Sequence, residues 1–123
     1  MIKPEDLRIG NLVSHGVSVC RVTSIFISHF RATNIVTNID HGDSIRTNYN
    51  PIPLTEKILL DSGFYIDETK NASIMLPNNE VLILELNDKG IYTDYAYGTE
   101  IEYLHNLQNL HKELSKTELI IKL

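Results

Sequence analysis

The sequence is poor in features that mark several common protein classes. It has one cysteine, Cys20, and no tryptophan among its 123 residues. A single cysteine excludes an internal disulfide and a cluster of thiolate metal ligands. Because Cys20 lies in a segment rich in β-branched residues, we predict a buried structural thiol rather than a reactive one.

Long apolar stretches are also missing. The longest run, residues 81–84, has four residues, whereas a membrane-spanning helix needs roughly 18 or more. The N-terminus becomes acidic at Glu5 and Asp6 without the apolar stretch of a secretory signal. We therefore expect no membrane span and a cytoplasmic location.

Positive charge is scarce. Sixteen acidic side chains against eleven basic ones give a net charge of −5. This charge repels a polyanion unless the few cations are gathered on one face of the molecule. Nucleic acid is therefore a disfavoured partner.

Motifs for catalysis and for metal or phosphate binding are absent from the sequence. The five histidines form no pair at four-residue spacing and no H-E-x-x-H motif. The six glycines stand singly, without the spacing of a phosphate-binding loop, and no serine lies in a nucleophile elbow. We therefore predict that the protein is not an enzyme and has no cofactor and no metal site.

What is present is the composition of a globular protein, with 42% hydrophobic and 22% charged residues. The length is that of one domain. We predict a single domain over residues 1–123, with a strand-rich part at 1–50 and a second part at 51–123. The two parts meet at Pro51 and Pro53, which remove backbone donors.

The first part predicts short antiparallel strands. Residues 11–14 and 17–28 form a hairpin, and the second arm is bent or bulged because its apolar residues change face. Two further strands at 30–38 and 44–49 flank a polar tip at 40–43. This pattern predicts a small antiparallel SH3-like barrel or a strongly curled sheet.

The second part predicts a helix, an antiparallel β-meander and a C-terminal helix, which makes the fold α+β. Thr55 caps the short helix 55–62, and Gly63 closes it. Thr99 and Glu102 have the spacing of a capping box that opens the C-terminal helix, whose apolar stripe covers the sheet. The apolar residues 119–121 form a last strand or dock on another subunit, which would make a homo-oligomer.

Five residues are candidates for binding a ligand or partner. Tyr92, Tyr95 and Tyr97 offer aromatic faces with phenolic tips, which suit protein contacts or stacking on a base when they are exposed. For at least one of the three, packing in the core is the favoured interpretation. Arg31 and Arg46 can contact a phosphate or carboxylate through a bidentate fork, although ordinary solvation at the surface is the favoured interpretation.

Three segments resemble a family of small uncharacterised proteins encoded in bacterial genomes, prophages and phages. They are LRIGNLV at residues 7–13, PIPLTE at 51–56 followed by Gly63-Phe64, and IEYLHNLQNL at 101–110. The resemblance implies a phage or mobile-element origin and carries no assigned activity. If the gene is phage-encoded, the protein would act in the host cytoplasm.

These observations predict a non-enzymatic binding protein of phage or prophage origin. It would block a host component or sequester a small anionic ligand, such as a nucleotide signal, and would thereby act in counter-defence. One alternative is a structural or assembly protein of the virion. Another is an SH3-like nucleic-acid-binding module that uses Arg21, Arg31 and Arg46 as a basic patch.

Overall fold

Residues 2–123 are described by a computed structural model, in which the chain divides into two compact units. The first unit ends at Ile52, and the second runs from Pro53 to Leu123. Each unit has an antiparallel sheet and a hydrophobic cluster of its own. The predicted α+β class is confirmed. Within residues 2–123, neither α-helix has the length and apolar character needed to cross a bilayer.

The first unit contains a sheet of four strands, which follow one another in sequence order. The register between the second and third strands shifts between Val22 and Ser24, which confirms the predicted bulge. The elements are a 3-10 turn at Pro4–Asp6, β1 at Leu12–His15, β2 at Ser18–Ile25, β3 at Phe30–Asn34 and β4 at Asp40–Asp43.

This sheet is curved but open. The rings of His15 on β1 and His41 on β4 lie 5.0 Å apart, so the two outer strands approach each other. No strand pairing joins β1 to β4. Instead, Ser14 and Asn50 exchange two backbone hydrogen bonds of 2.9 Å. A closed barrel, one of the two predicted forms, is therefore wrong.

The last strand of this sheet lies at a different place from the predicted one. Residues 40–43, predicted as a polar tip, form β4, whereas residues 44–49, predicted as a strand, form none. Asp40 and Asp43 pair with Thr33 and Arg31 across the sheet. Because β4 is polar and short, hydrophobic alternation could not reveal it.

The core of the first unit follows from alternation along β2. Cys20 and Val22 are fully buried, while the intervening Arg21 is exposed. They pack with Val13 of β1 and Phe30 of β3 in one hydrophobic cluster. The prediction that Cys20 is a buried thiol is confirmed.

In the second unit, α1 spans Glu56–Asp61 and begins and ends as predicted. The Ile58 N–H donates to Thr55 Oγ1 at 3.2 Å, which caps the first turn. At the other end, Gly63 has φ +96°, a conformation that glycine adopts without a Cβ penalty. The N–H groups of Gly63 and Phe64 donate to the carbonyl oxygens of Leu60 and Leu59 in a Schellman motif.

Five antiparallel strands follow in sequence order. The third of them contains the predicted central strand, with Leu82 and Leu84 buried in the hydrophobic cluster. The strands are β5 at Tyr65–Ile66, β6 at Ala72–Met75, β7 at Val81–Leu86, β8 at Tyr92–Asp94 and β9 at Glu100–Ile101.

The C-terminal helix, α2, spans Leu104–Ser115 and buries Leu104 and Leu107. The predicted capping box of Thr99 and Glu102 is wrong, because Glu100–Ile101 pairs with β8 and the helix begins only after Tyr103. Asn106 Oδ1 accepts instead from the Tyr103 N–H at 3.1 Å. Residues 119–121 form no strand; Leu119 is buried in the cluster of the second unit.

Candidate functional site

A cavity of about 420 Å³ lies in the first unit and is here called the N-terminal cavity. The N-terminal segment forms one part of its wall, and the loop 44–49 forms another. Its lining residues are Ile2, Lys3, Pro4, Ser28, Phe30, Ser44, Ile45, Arg46, Thr47, Asn48 and Tyr49.

Hydrogen bonds hold the loop 44–49 in place. The Ser44 N–H donates to the Phe30 carbonyl oxygen at 2.8 Å, and Ser44 Oγ accepts from the Phe30 N–H at 3.0 Å. Thr47 Oγ1 donates to the His41 carbonyl oxygen at 2.7 Å. Since these polar groups are already bonded, the loop presents its remaining side chains from a fixed backbone.

The apolar wall of the cavity includes two packed aromatic rings. The ring centroids of Phe30 and Tyr49 lie 5.1 Å apart, and both side chains are buried. The Tyr49 hydroxyl donates to the Gly42 carbonyl oxygen at 2.7 Å. Burial raises the pKa of Tyr49, so the phenol is neutral at physiological pH and adds no negative charge to the cavity.

The charged groups of the N-terminal cavity are both cations. Lys3 and Arg46 line it, and none of the lining residues among 2–123 is acidic. Within residues 2–123, neither side chain takes part in an ion pair or hydrogen bond. The side-chain amide of Asn48 likewise has no partner in this range. The described lining residues of this cavity thus carry a net positive charge, which favours an anion over a cation.

Of the two predicted arginines, only Arg46 lines this cavity. Arg31 lies on β3, where its Nη2 is 2.8 Å from Asp40 Oδ2 and its Nη1 is 3.9 Å from Asp43 Oδ2. These two carboxylates neutralise the guanidinium and compete with any anionic ligand. The structure therefore does not bring Arg31 and Arg46 into one site.

The three predicted tyrosines lie in the second unit and differ in exposure. Tyr92 is 5% exposed and packs in the hydrophobic cluster, which excludes it as a surface contact and fits the packing alternative. Tyr95 and Tyr97 are 66% and 75% exposed. These two residues are available for contact with a partner.

A second cavity, of about 520 Å³, lies beside α2 in the second unit and is here called the helix-side cavity. Tyr97 lines it together with Asp94, Glu100 and Glu113. Among the described residues, its lining includes no lysine or arginine. The charge of this cavity is thus opposite to that of the N-terminal cavity, and it is unsuited to an anion.

The histidines do not gather into a metal site within residues 2–123. His111 is buried on α2, where its Nδ1 lies 2.9 Å from the Thr117 carbonyl oxygen. His15 and His41 form the ring contact between β1 and β4. Within residues 2–123, no three His, Cys, Asp or Glu side chains come together as a set of metal ligands.

The sequence did not predict that Lys3 and Asn48 line the N-terminal cavity. Lys3 precedes the 3-10 turn, and Asn48 lies in a loop that was predicted as a strand. Neither residue belongs to a motif, and only the fold brings them to one cavity. The single usable signal was the position of Arg46 among polar residues.

Comparisons with family models, with curated proteins and with solved structures found no match to this chain. The resemblance to phage and prophage proteins therefore stays a prediction.

Proposed function

We propose that this protein binds a small anionic ligand in the N-terminal cavity and performs no chemistry on it. The observation that carries the proposal is the pair of cations, Lys3 and Arg46, which have no side-chain partner within residues 2–123 and line a cavity to which this part of the chain contributes no carboxylate. In a chain with a net charge of −5, such a local reversal of sign favours an anion at that place.

The biological role that fits this binding is sequestration. In the phage or prophage context that the resemblance implies, the protein would remove a host anion, such as a nucleotide signal, and act in counter-defence in the host cytoplasm.

The finer fold proposal is that the first unit is SH3-like, which its four sequential antiparallel strands support.

A contact with a host protein is the second candidate. Tyr95 and Tyr97 support it, because exposed tyrosines are enriched where proteins meet. The nucleic-acid alternative loses support, since Asp40 and Asp43 pair with Arg31 of the proposed basic patch. The virion-assembly alternative needs residues 119–121 to dock on a neighbouring molecule. Leu119 is instead buried in the hydrophobic cluster of the second unit, so this alternative loses support.

Isothermal titration calorimetry with inorganic phosphate tests the proposal. We expect a saturable signal for the native protein and about a hundredfold weaker binding for the double variant K3Q/R46Q, since each lost charge-assisted contact costs about tenfold. The matched control is R21Q/K89Q, which removes the same residue types and charge outside the cavity. Equal binding by both double variants would refute the site.

A further inference from the structure

We propose that the ligand of the N-terminal cavity is a phosphate monoester with a compact apolar body. This inference rests on the proposed function and names the class of anion. It follows from three properties of the cavity: its charge, the composition of its wall and its size.

Charge favours a dianion. Lys3 and Arg46 together supply two positive charges, and no acidic residue of the described chain lines the cavity. A phosphate monoester carries about −1.5 to −2 charges near neutral pH, which matches the charge of the two cations. A carboxylate or a phosphodiester group carries one negative charge and leaves one cation unmatched. Arginine adds a planar fork suited to two phosphate oxygens, and lysine adds a point charge.

The wall favours an organic ester over a bare ion. Ile45 is 69% exposed at the cavity, next in sequence to Arg46, and Pro4 follows Lys3. Each cation is thus adjacent in sequence to an apolar residue of the lining. Inorganic phosphate would leave these apolar side chains in water, whereas an ester with an apolar substituent would cover them while its phosphate meets the cations.

Size limits the ligand. A cavity of about 420 Å³ lies near the lower end of the usual range of roughly 300–1,000 Å³ for small-molecule sites. It suits a single aryl phosphate better than an oligonucleotide. Asn48 supplies a neutral amide that can donate a hydrogen bond to a phosphate oxygen.

Calorimetric titration with phenyl phosphate, inorganic phosphate and benzoate tests this class. We expect phenyl phosphate to bind about tenfold or more tightly than either of the others, because only it offers both a dianion and an apolar ring. Ile45→Ser should weaken phenyl phosphate several-fold and leave inorganic phosphate unchanged. Ile39→Ser, which alters an exposed isoleucine outside the cavity, is the control.

The outcomes separate this inference from the proposed function. If inorganic and phenyl phosphate bind equally, and Ile45→Ser affects neither, the anion site stands and the ester class is wrong. If benzoate binds as tightly as phenyl phosphate, the requirement for a dianion is wrong. If none of the three binds, both the class and the site are wrong.

Discussion

Leu59 and Phe64 join the end of α1 to the core of the second unit. The Phe64 N–H donates to the Leu59 carbonyl oxygen at 2.9 Å, and both side chains lie in the same buried cluster. The turn that ends the helix therefore also positions two core residues. Stability of this unit should depend on the buried face of a helix only six residues long.

Leu59 and Leu60 give a direct comparison of buried and exposed positions on that helix. Leu59 is fully buried, whereas Leu60 is 51% exposed. We expect Leu59→Ala to lower the free energy of unfolding by about 2–5 kcal/mol through lost burial and a cavity. Leu60→Ala should change it by about 0.5 kcal/mol or less. Urea denaturation followed by circular dichroism measures both, and equal losses would contradict the assigned helix face.

Asp40 should titrate below its ordinary range. The hydrogen bond from Arg31 lowers the pKa of Asp40, and the Gly42 N–H adds to this effect. Because the pKa of Asp40 is lower in the folded protein than in the unfolded one, its ionised form stabilises the fold at pH values above the unfolded pKa of about 3.9. This contribution is lost as the pH falls through the folded-state pKa. We expect Arg31→Gln to raise the pKa of Asp40, as measured by carboxyl NMR. An unchanged titration would show that the ion pair does not control it.

The two buried tyrosines predict a loss of stability in alkali. Burial raises the pKa of both Tyr49 and Tyr92, and the negative charge of Glu56 adds to the shift at Tyr92. The folded state thus holds these protons more tightly, so the free energy of unfolding falls as pH rises above about 10, the ordinary value. Tyr92→Phe should reduce that fall, as measured by denaturation at several alkaline pH values. An identical pH dependence in the variant would contradict the assignment.

Cys20 should be unreactive in the folded protein. Its side chain is fully buried, and burial raises the pKa of the thiol, which disfavours the reactive thiolate. We expect a thiol reagent to label the native protein only as fast as the chain opens and to label the urea-unfolded protein at once. Fast labelling under native conditions would show that the β2 face bearing Cys20 is open to solvent.

Local signals predicted some elements of the fold well and others poorly. The start and end of α1 followed from Thr55 and Gly63, because capping depends on residues next to each other in sequence. The start of α2 did not follow, because the spacing of Thr99 and Glu102 fits a capping box, while strand pairing with β8 holds Glu100–Ile101. Pairing with the preceding strand overrode the capping-box pattern.

The candidate site was harder to predict than the fold. Arg46 was identified as a possible anion contact, but Lys3 was not, because the N-terminal segment carries no motif. Arg31 was predicted as an anion contact but is paired with carboxylates instead. The pairing of β3 with β4 brings Asp40 and Asp43 to its guanidinium, and the sequence around Arg31 does not indicate this. Charge at a site depends on such non-local neighbours.

Chemical-shift mapping of backbone amides during titration with inorganic phosphate tests the central claim most directly, because it locates the bound anion. We expect saturable shifts at Lys3 and along residues 44–49, lost in K3Q/R46Q and retained in R21Q/K89Q. Shifts confined to the surroundings of Tyr97, or no saturable shifts at any concentration, would contradict it.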